Sequence, residues 1–397
     1  MNDKWIRSNM DLYHIGKGQS HIIMIKNSKT LEEDFCKYAQ SFYEAAEAVI
    51  NYLVEDVRDI LTLDTWYFSA VYLYRQSLEL LLKASIFQTV RDINDRKIVI
   101  GDIRHDLIQA FEKLIEIRQL KIEGNKNAEW MMEFLTDISR LDKESDMFRY
   151  PFKSDLIIFF QKRLYISLVA THDNMNKAYR IIKEIYDTEL IPVQSNEVYP
   201  PQLLVEGGDY YEISAVGESD WFGRNFDSYF SAYLEVGSFL KDKIIQRGQA
   251  NLFLPMCYLY RNAIELGLKR IIVEECNLDK SNITKILRNT KHSILKLWNV
   301  IKDTIKKYAR NEQEIRTLED TEQYILAFHN FDPSSDLFRY PCNKKMVPYF
   351  SNSKKFDVEN VALCFEELCS FLESVDTMLS ELRELDAEIA SYYDDPY

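Results

Sequence analysis

Apolar positions fall at helical intervals along most of this chain, and the order in which they do so occurs twice. A short apolar run, His21-Ile22-Ile23-Met24-Ile25, predicts a strand, and Thr30 with Glu33 then has the spacing of a capping box. Leu31, Phe35, Tyr38, Phe42, Ala45, Val49 and Leu53 recur three and four apart, which predicts a first helix. The next segment, about 64–90, is apolar on nearly every side and predicts a helix covered all round by protein. A third helix starts at His105-Asp106-Leu107, a fourth carries Trp130, Met131, Phe134, Leu135 and Ile138, and a fifth is expected over about 156–187. Between the last two lies DKESDMFRYP, where Pro151 disfavours helix at Tyr150 and predicts a shaped loop.

Residues 188–219 hold the densest cluster of breakers, Pro192, Pro200, Pro201, Gly207, Gly208 and Gly217, and mark a boundary. Within them Tyr211–Val216 predicts a second strand, which would pair with the first. From Trp221 the order returns: Phe222, Phe226, Tyr229, Tyr233, Val236, Leu240 and Ile244 form a leading helix, and a second covered helix starts near Asn251. KHSILKLW answers RHDLIQAF, and DPSSDLFRYP answers the first loop. The offset between matched positions drifts by only a few residues, so an all-α tandem duplication is expected. Its units are five-helix bundles at 1–190 and 220–397 joined by a linker at 191–219, packed as a pseudo-twofold pair with minor β elements before each. The final SYYDDPY is expected as an exposed tail.

Composition narrows the function classes. A formal charge of −14 excludes a surface that coats nucleic acid broadly and leaves only a local basic cavity for phosphate. The six cysteines form no CxxC pair and read as reduced thiols. No apolar stretch approaches the roughly 20 residues of a membrane helix, and the start has no signal core, so a cytoplasmic protein with no membrane contact is expected.

The chemistry concentrates in the covered helices. YLYRQSLELLLK and YLYRNAIELGLK place Arg75, Glu79, Lys83 and Arg261, Glu265, Lys269 at steps of four, one charged face on each buried helix. His105 and Arg149 in the first unit, and His292 and Arg339 in the second, complete two matched sets that loop aspartates Asp142, Asp146, Asp332 and Asp336 can join. Histidine and arginine here are candidate catalytic groups, and each ladder is a candidate phosphate site. The same ladder equally fits a structural role, tying the FRYP loop to the helix, because buried charges require partners. No metal-ligating spacing occurs, so no metal or other cofactor is expected.

The segments YRQSLELLLK, RHDL and FRYP, with YRNAIELGLK, KHSILKLW and FRYP, resemble the HEPN superfamily, helical bundles of bacterial antiviral, toxin and stress-response systems. The resemblance implies a metal-independent ribonuclease that cleaves RNA by transphosphorylation at a dimer-like interface. Its alternative implication is a non-catalytic interaction or sensor module for a partner protein of a defence complex or a phosphorylated ligand, with homo-oligomers possible in either case. Active members carry an arginine, four to six residues and a histidine; here Arg104 adjoins His105, and only three residues separate Arg288 from His292.

Overall fold

Thr30 opens the first helix as its position predicts, with its hydroxyl accepting the Glu33 amide at 3.5 Å. The computed structural model describes residues 4–17, 21–153, 155–193, 199–217 and 225–393, so Trp221, Phe222 and most of the expected tail lie outside the described residues. In chain order the first run holds β1 (Ile22–Ile25), α1 (Leu31–Glu55), α2 (Ile60–Thr89), α3 (Ile93–Ile103), α4 (Leu107–Arg118), α5 (Lys126–Asp142), β2 (Leu164–Ser167) and α6 (Leu168–Thr188). The second holds β3 (Ile213–Val216), α7 (Asn225–Arg247), α8 (Phe253–Arg270), α9 (Lys280–Thr290), α10 (Ile294–Lys306), α11 (Glu312–Phe331), β4 (Lys354–Asp357) and α12 (Val358–Tyr393). The fold is therefore largely helical, with two small two-stranded sheets among the described residues.

The covered helices form the core. Every residue of α2 from Thr65 to Phe87 is buried, because α1, α4, α6 and α7 pack around it. α8 is buried from its first residue to Leu268 under α7, α10 and α12. The two helices meet through Tyr72 and Tyr258, whose rings stack with centroids 4.9 Å apart.

Three expectations need correction. Among the described residues each run has six α-helices where five were predicted, the additions being α3 and α9. α3 buries only Arg96, Val99 and Ile103, too few for an apolar stripe. The helix predicted over 156–187 begins only at Leu168, where the Ser167 hydroxyl caps the Ala170 amide at 3.1 Å; residues 164–167 before it are strand.

The predicted strands exist but do not pair with each other. β1 pairs antiparallel with β4, Ile22 opposite Asp357, and β3 pairs antiparallel with β2, Val216 opposite Leu164. Each strand that precedes one run thus joins the strand before the last helix of the other. The expected linker also lies against the first run: Leu203 N donates to Asp137 Oδ2 at 2.8 Å, Ser167 N to Val205 O at 2.8 Å, and Ala215 N to Asp64 Oδ1 at 2.6 Å. No described helix is long and apolar enough to cross a membrane.

Candidate functional site: two histidine clusters on one cationic cleft

Glu79 and Glu265 each gather the cations of their own helix. Lys83 Nζ donates to Glu79 Oε1 at 2.6 Å and Arg75 Nη1 lies 3.4 Å from Oε2; Lys269 and Arg261 repeat this around Glu265 at 2.7 and 3.3 Å. Helical steps of four make these contacts, and burial makes them necessary. Burial alone would push both carboxyls up. The lysine, histidine and arginine around each outweigh it, so both sit well below the ordinary glutamate range.

Each histidine is held at its backbone and at one ring nitrogen. Arg75 Nη2 donates to the His105 carbonyl at 2.8 Å, and Arg261 Nη2 donates to the His292 carbonyl at 2.6 Å. The residue before each ring is bent into a region non-glycine residues rarely occupy, Arg104 at φ 45° and Lys291 at φ 49°. His105 Nδ1 lies 3.2 Å from both Glu79 oxygens, and His292 Nδ1 lies 2.9 Å from Glu265 Oε1. In a neutral ring, a carboxylate at Nδ1 selects the tautomer that leaves Nε2 without a proton and open as an acceptor; in the protonated ring the same carboxylate leaves the Nε2 proton to be given away. Burial lowers the His292 pKa below the usual histidine value; Arg149 and Lys269 add to this and Glu265 opposes it.

The tyrosine of each FRYP loop completes the cluster of the other run. Tyr340 donates to Glu79 Oε1 at 2.7 Å and lies 3.4 Å from His105 Nδ1. Tyr150 donates to Glu265 Oε1 at 2.7 Å and lies 3.0 Å from His292 Nδ1. Burial raises both hydroxyls well above the ordinary tyrosine value, so they remain protonated donors. The loops reach across because each is locked in the same shape. Asp142 Oδ1 accepts the amides of Asp146 and Met147 at 2.7 and 3.0 Å, and Asp332 Oδ1 accepts those of Asp336 and Leu337 at 3.0 and 3.2 Å.

His105 and His292, both about one-third exposed, line a single cleft of about 1200 Å³. Eight cations line it, Lys83, Lys97, Arg104, Arg288, Lys291, Lys296, Arg339 and Lys344, against the two carboxylates of Glu144 and Asp336. In a chain of charge −14 this concentration focuses positive potential on the two rings. A side pocket of about 270 Å³, lined by Tyr150, Lys269 and Lys291, opens on His292 alone.

The predicted site residues thus divide. His105, His292, Lys83 and Arg339 reach the cleft, and Lys269 reaches the side pocket. Glu79, Glu265, Arg75 and Arg261 are sealed, none more than 1% exposed. Arg149 is buried with its guanidinium over Tyr72 and Tyr150, at 5.8 and 4.9 Å from their ring centres, on the His292 side and away from its own run's histidine cluster. Sequence reasoning passed over the tyrosines' role and the cations Lys97, Lys291, Lys296 and Lys344, and weighed Arg104 and Arg288 only for their spacing to the histidines. A basic residue directly before each histidine was the available signal.

Among the described residues, only Glu274, Glu275 and Asp376 have carboxylates close enough together to hold a metal. Arg270 already bridges Glu274 at 3.4 Å and Asp376 at 2.5 Å, which gives these acids a cation of their own. No protein-family model, curated protein or solved structure matches the chain.

Proposed function

We propose that the two runs are copies of one HEPN-like unit packed about a pseudo-twofold axis, and that the protein is a metal-independent endoribonuclease whose single cleft holds the scissile phosphate between two histidines. The observation that carries this is the opening of both carboxylate-backed rings onto one cavity where cations outnumber acids eight to two. His292, held neutral, removes the proton of an RNA 2′-hydroxyl through Nε2. The 2′-oxygen forms its bond to phosphorus, the bond to the 5′-oxygen breaks, and His105, entering the step in its doubly protonated form with Nδ1–H on Glu79, delivers its Nε2 proton to that leaving oxygen. The products are a 2′,3′-cyclic phosphate and a 5′-hydroxyl. Lys83 and Arg339 stabilise the added charge on the phosphorane. By the same resemblance the protein belongs in a bacterial antiviral or stress-response system.

Purified protein and its His105→Asn and His292→Asn variants, assayed on a fluorescent RNA in the presence of a chelator, test this reading. Each substitution should lower cleavage by about 10²-fold or more. Equal activity in all three proteins overturns it. A second reading is favoured by the sealed Arg75 and Arg261, whose Nη2 groups are engaged on the histidine carbonyls within the protein: a module that binds a phosphorylated ligand in the same cleft without turnover. Nucleotide-dependent thermal stabilisation with no cleavage by the unsubstituted protein would decide for it.

A further inference from the structure

α9 and α3 occupy matching places, each ending one bent residue before its histidine, and they differ sharply in charge. α3 carries Asp95 and Asp102 against Arg96 and Lys97, and Arg96 is buried on Glu32 and on the Phe87 and Val90 carbonyls. α9 carries Lys280, Lys285 and Arg288 with no acid at all. Its first two lysines stand where α3 has the exposed Ile93 and Ile98. Lys280, Lys285 and Arg288 are all exposed, and none has a carboxylate partner among the described residues. A helix that needed only solubility would not require this: α3 stays in solvent at balanced charge, within a chain whose net charge is strongly negative.

The charged face of α9 is continuous with the cleft. Lys280, Ser281, Thr284, Lys285 and Arg288 border a surface groove of about 580 Å³ along the helix, and Arg288 also lines both the main cleft and the side pocket beside His292. Lys280 to Arg288 spans about 12 Å of helix axis, so the groove extends the cleft's positive track by room for about two phosphates. No aromatic ring lies on α9, which leaves backbone phosphates, not bases, as what it can hold.

We propose that α9 is a one-sided exit track: a single strand of RNA passes the two histidines and leaves the cleft over α9, held through its phosphates without regard to sequence, with no equivalent track on α3. This rests on the ribonucleotide reading of the cleft. Binding is measured by fluorescence anisotropy with 2′-O-methyl oligoribonucleotides, which cannot be cleaved through the 2′-oxygen, as a tetranucleotide and a dodecanucleotide. The protein should bind the longer strand on the order of tenfold more tightly. In a Lys280→Ala/Lys285→Ala double variant that advantage should largely vanish, and the slope of log affinity on log salt for the dodecanucleotide should shrink by about 1.4, for two lost phosphate contacts. Tetranucleotide binding should be unchanged. Both lysines are exposed, so the variant keeps the fold. Tetranucleotide binding with no gain for the longer strand, or a double variant that binds the dodecanucleotide as tightly as the unsubstituted protein, overturns the exit track and leaves the cleft reading standing. Failure of the unsubstituted protein to bind either strand overturns both.

Discussion

The two histidine clusters share a skeleton and differ in how completely it is filled. Arg75 has two carboxylates within ion-pair distance, Glu79 at 3.4 Å and Asp142 at 3.1 Å, whereas among the described residues Arg261 has Glu265 at 3.3 Å and feels Asp332 only from further away. On α2 Gln76 Nε2 reaches the Arg339 carbonyl at 3.2 Å; its counterpart Asn262, one methylene shorter, is fully buried with neither amide atom hydrogen-bonded among the described residues. Burial lowers the His292 pKa, and this ring faces a side pocket with Lys269 and Lys291, while His105 faces a side pocket of about 460 Å³ lined by Asp102, Asp106 and Glu144 as well as Arg104 and Lys143. The difference teaches that one cluster is built as the fuller structural anchor and the other sits closer to its limit, where chemistry is more easily placed.

The largest test of that contrast removes each glutamate. Glu79→Ala and Glu265→Ala should both destabilise by about 3–5 kcal/mol, since each leaves buried cations uncompensated. The loss should be greater for Glu265→Ala, because Arg261 keeps no second carboxylate within ion-pair distance, and urea denaturation of the two variants side by side measures it. Equal losses would erase the contrast.

The acid limb of stability gives a smaller effect. A histidine whose folded pKa lies below its unfolded one lets the unfolded chain take up the proton first as pH falls. The contribution of His292 is therefore present above about pH 6.5 and is lost below it, down to the folded value. Glu79 and Glu265, depressed in the folded state, contribute stability present above about pH 4.3 and lost as pH falls through their lower folded values. Denaturation midpoints against pH should show both steps, and His292→Asn should remove the upper one and weaken the Glu265 part of the lower one, which His292 helps to depress. The same substitution at His105 provides the comparison within one molecule.

The smallest change repairs the weaker side. Asn262→Gln restores the length that lets Gln76 reach the opposite loop, and it should raise stability by about 1 kcal/mol or less, as one neutral hydrogen bond replaces buried unpaired groups. A loss in thermal melting would mean that the extra methylene does not fit.

Much of this was legible in the chain. The cap at Thr30, the buried α2 and α8 and the loops set by Asp142 and Asp332 follow from local signals: a hydroxyl before a helix, apolar residues on every face, a proline after an aromatic. The helices α3 and α9 were not legible for different reasons: α3 buries only three side chains and shows little periodicity, whereas α9 does place Ile283, Leu287 and Thr290 at helical spacing but is only 11 residues long and polar on its other faces. Nor were β2 and β4: Leu164–Ser167 and Lys354–Asp357 are four residues long, and their pairing is fixed by distant partners. The grouping of the site was half legible. The i, i+4 ladders are local, but which tyrosine meets which histidine depends on how the two runs pack, as does the sharing of one cleft by both rings.

The exchange of strands and tyrosines gives the chain an indivisible character. β1 finds its mate more than three hundred residues along the chain, and the hydroxyl that steadies His105 comes from a loop near the far end. Severed between the runs, the protein would yield two fragments with a sheet partner missing from each and a glutamate short of a donor in each, so they should cling together in solution like a broken seal refitted. A ligand that pulls on either loop would disturb the opposite ring before its own.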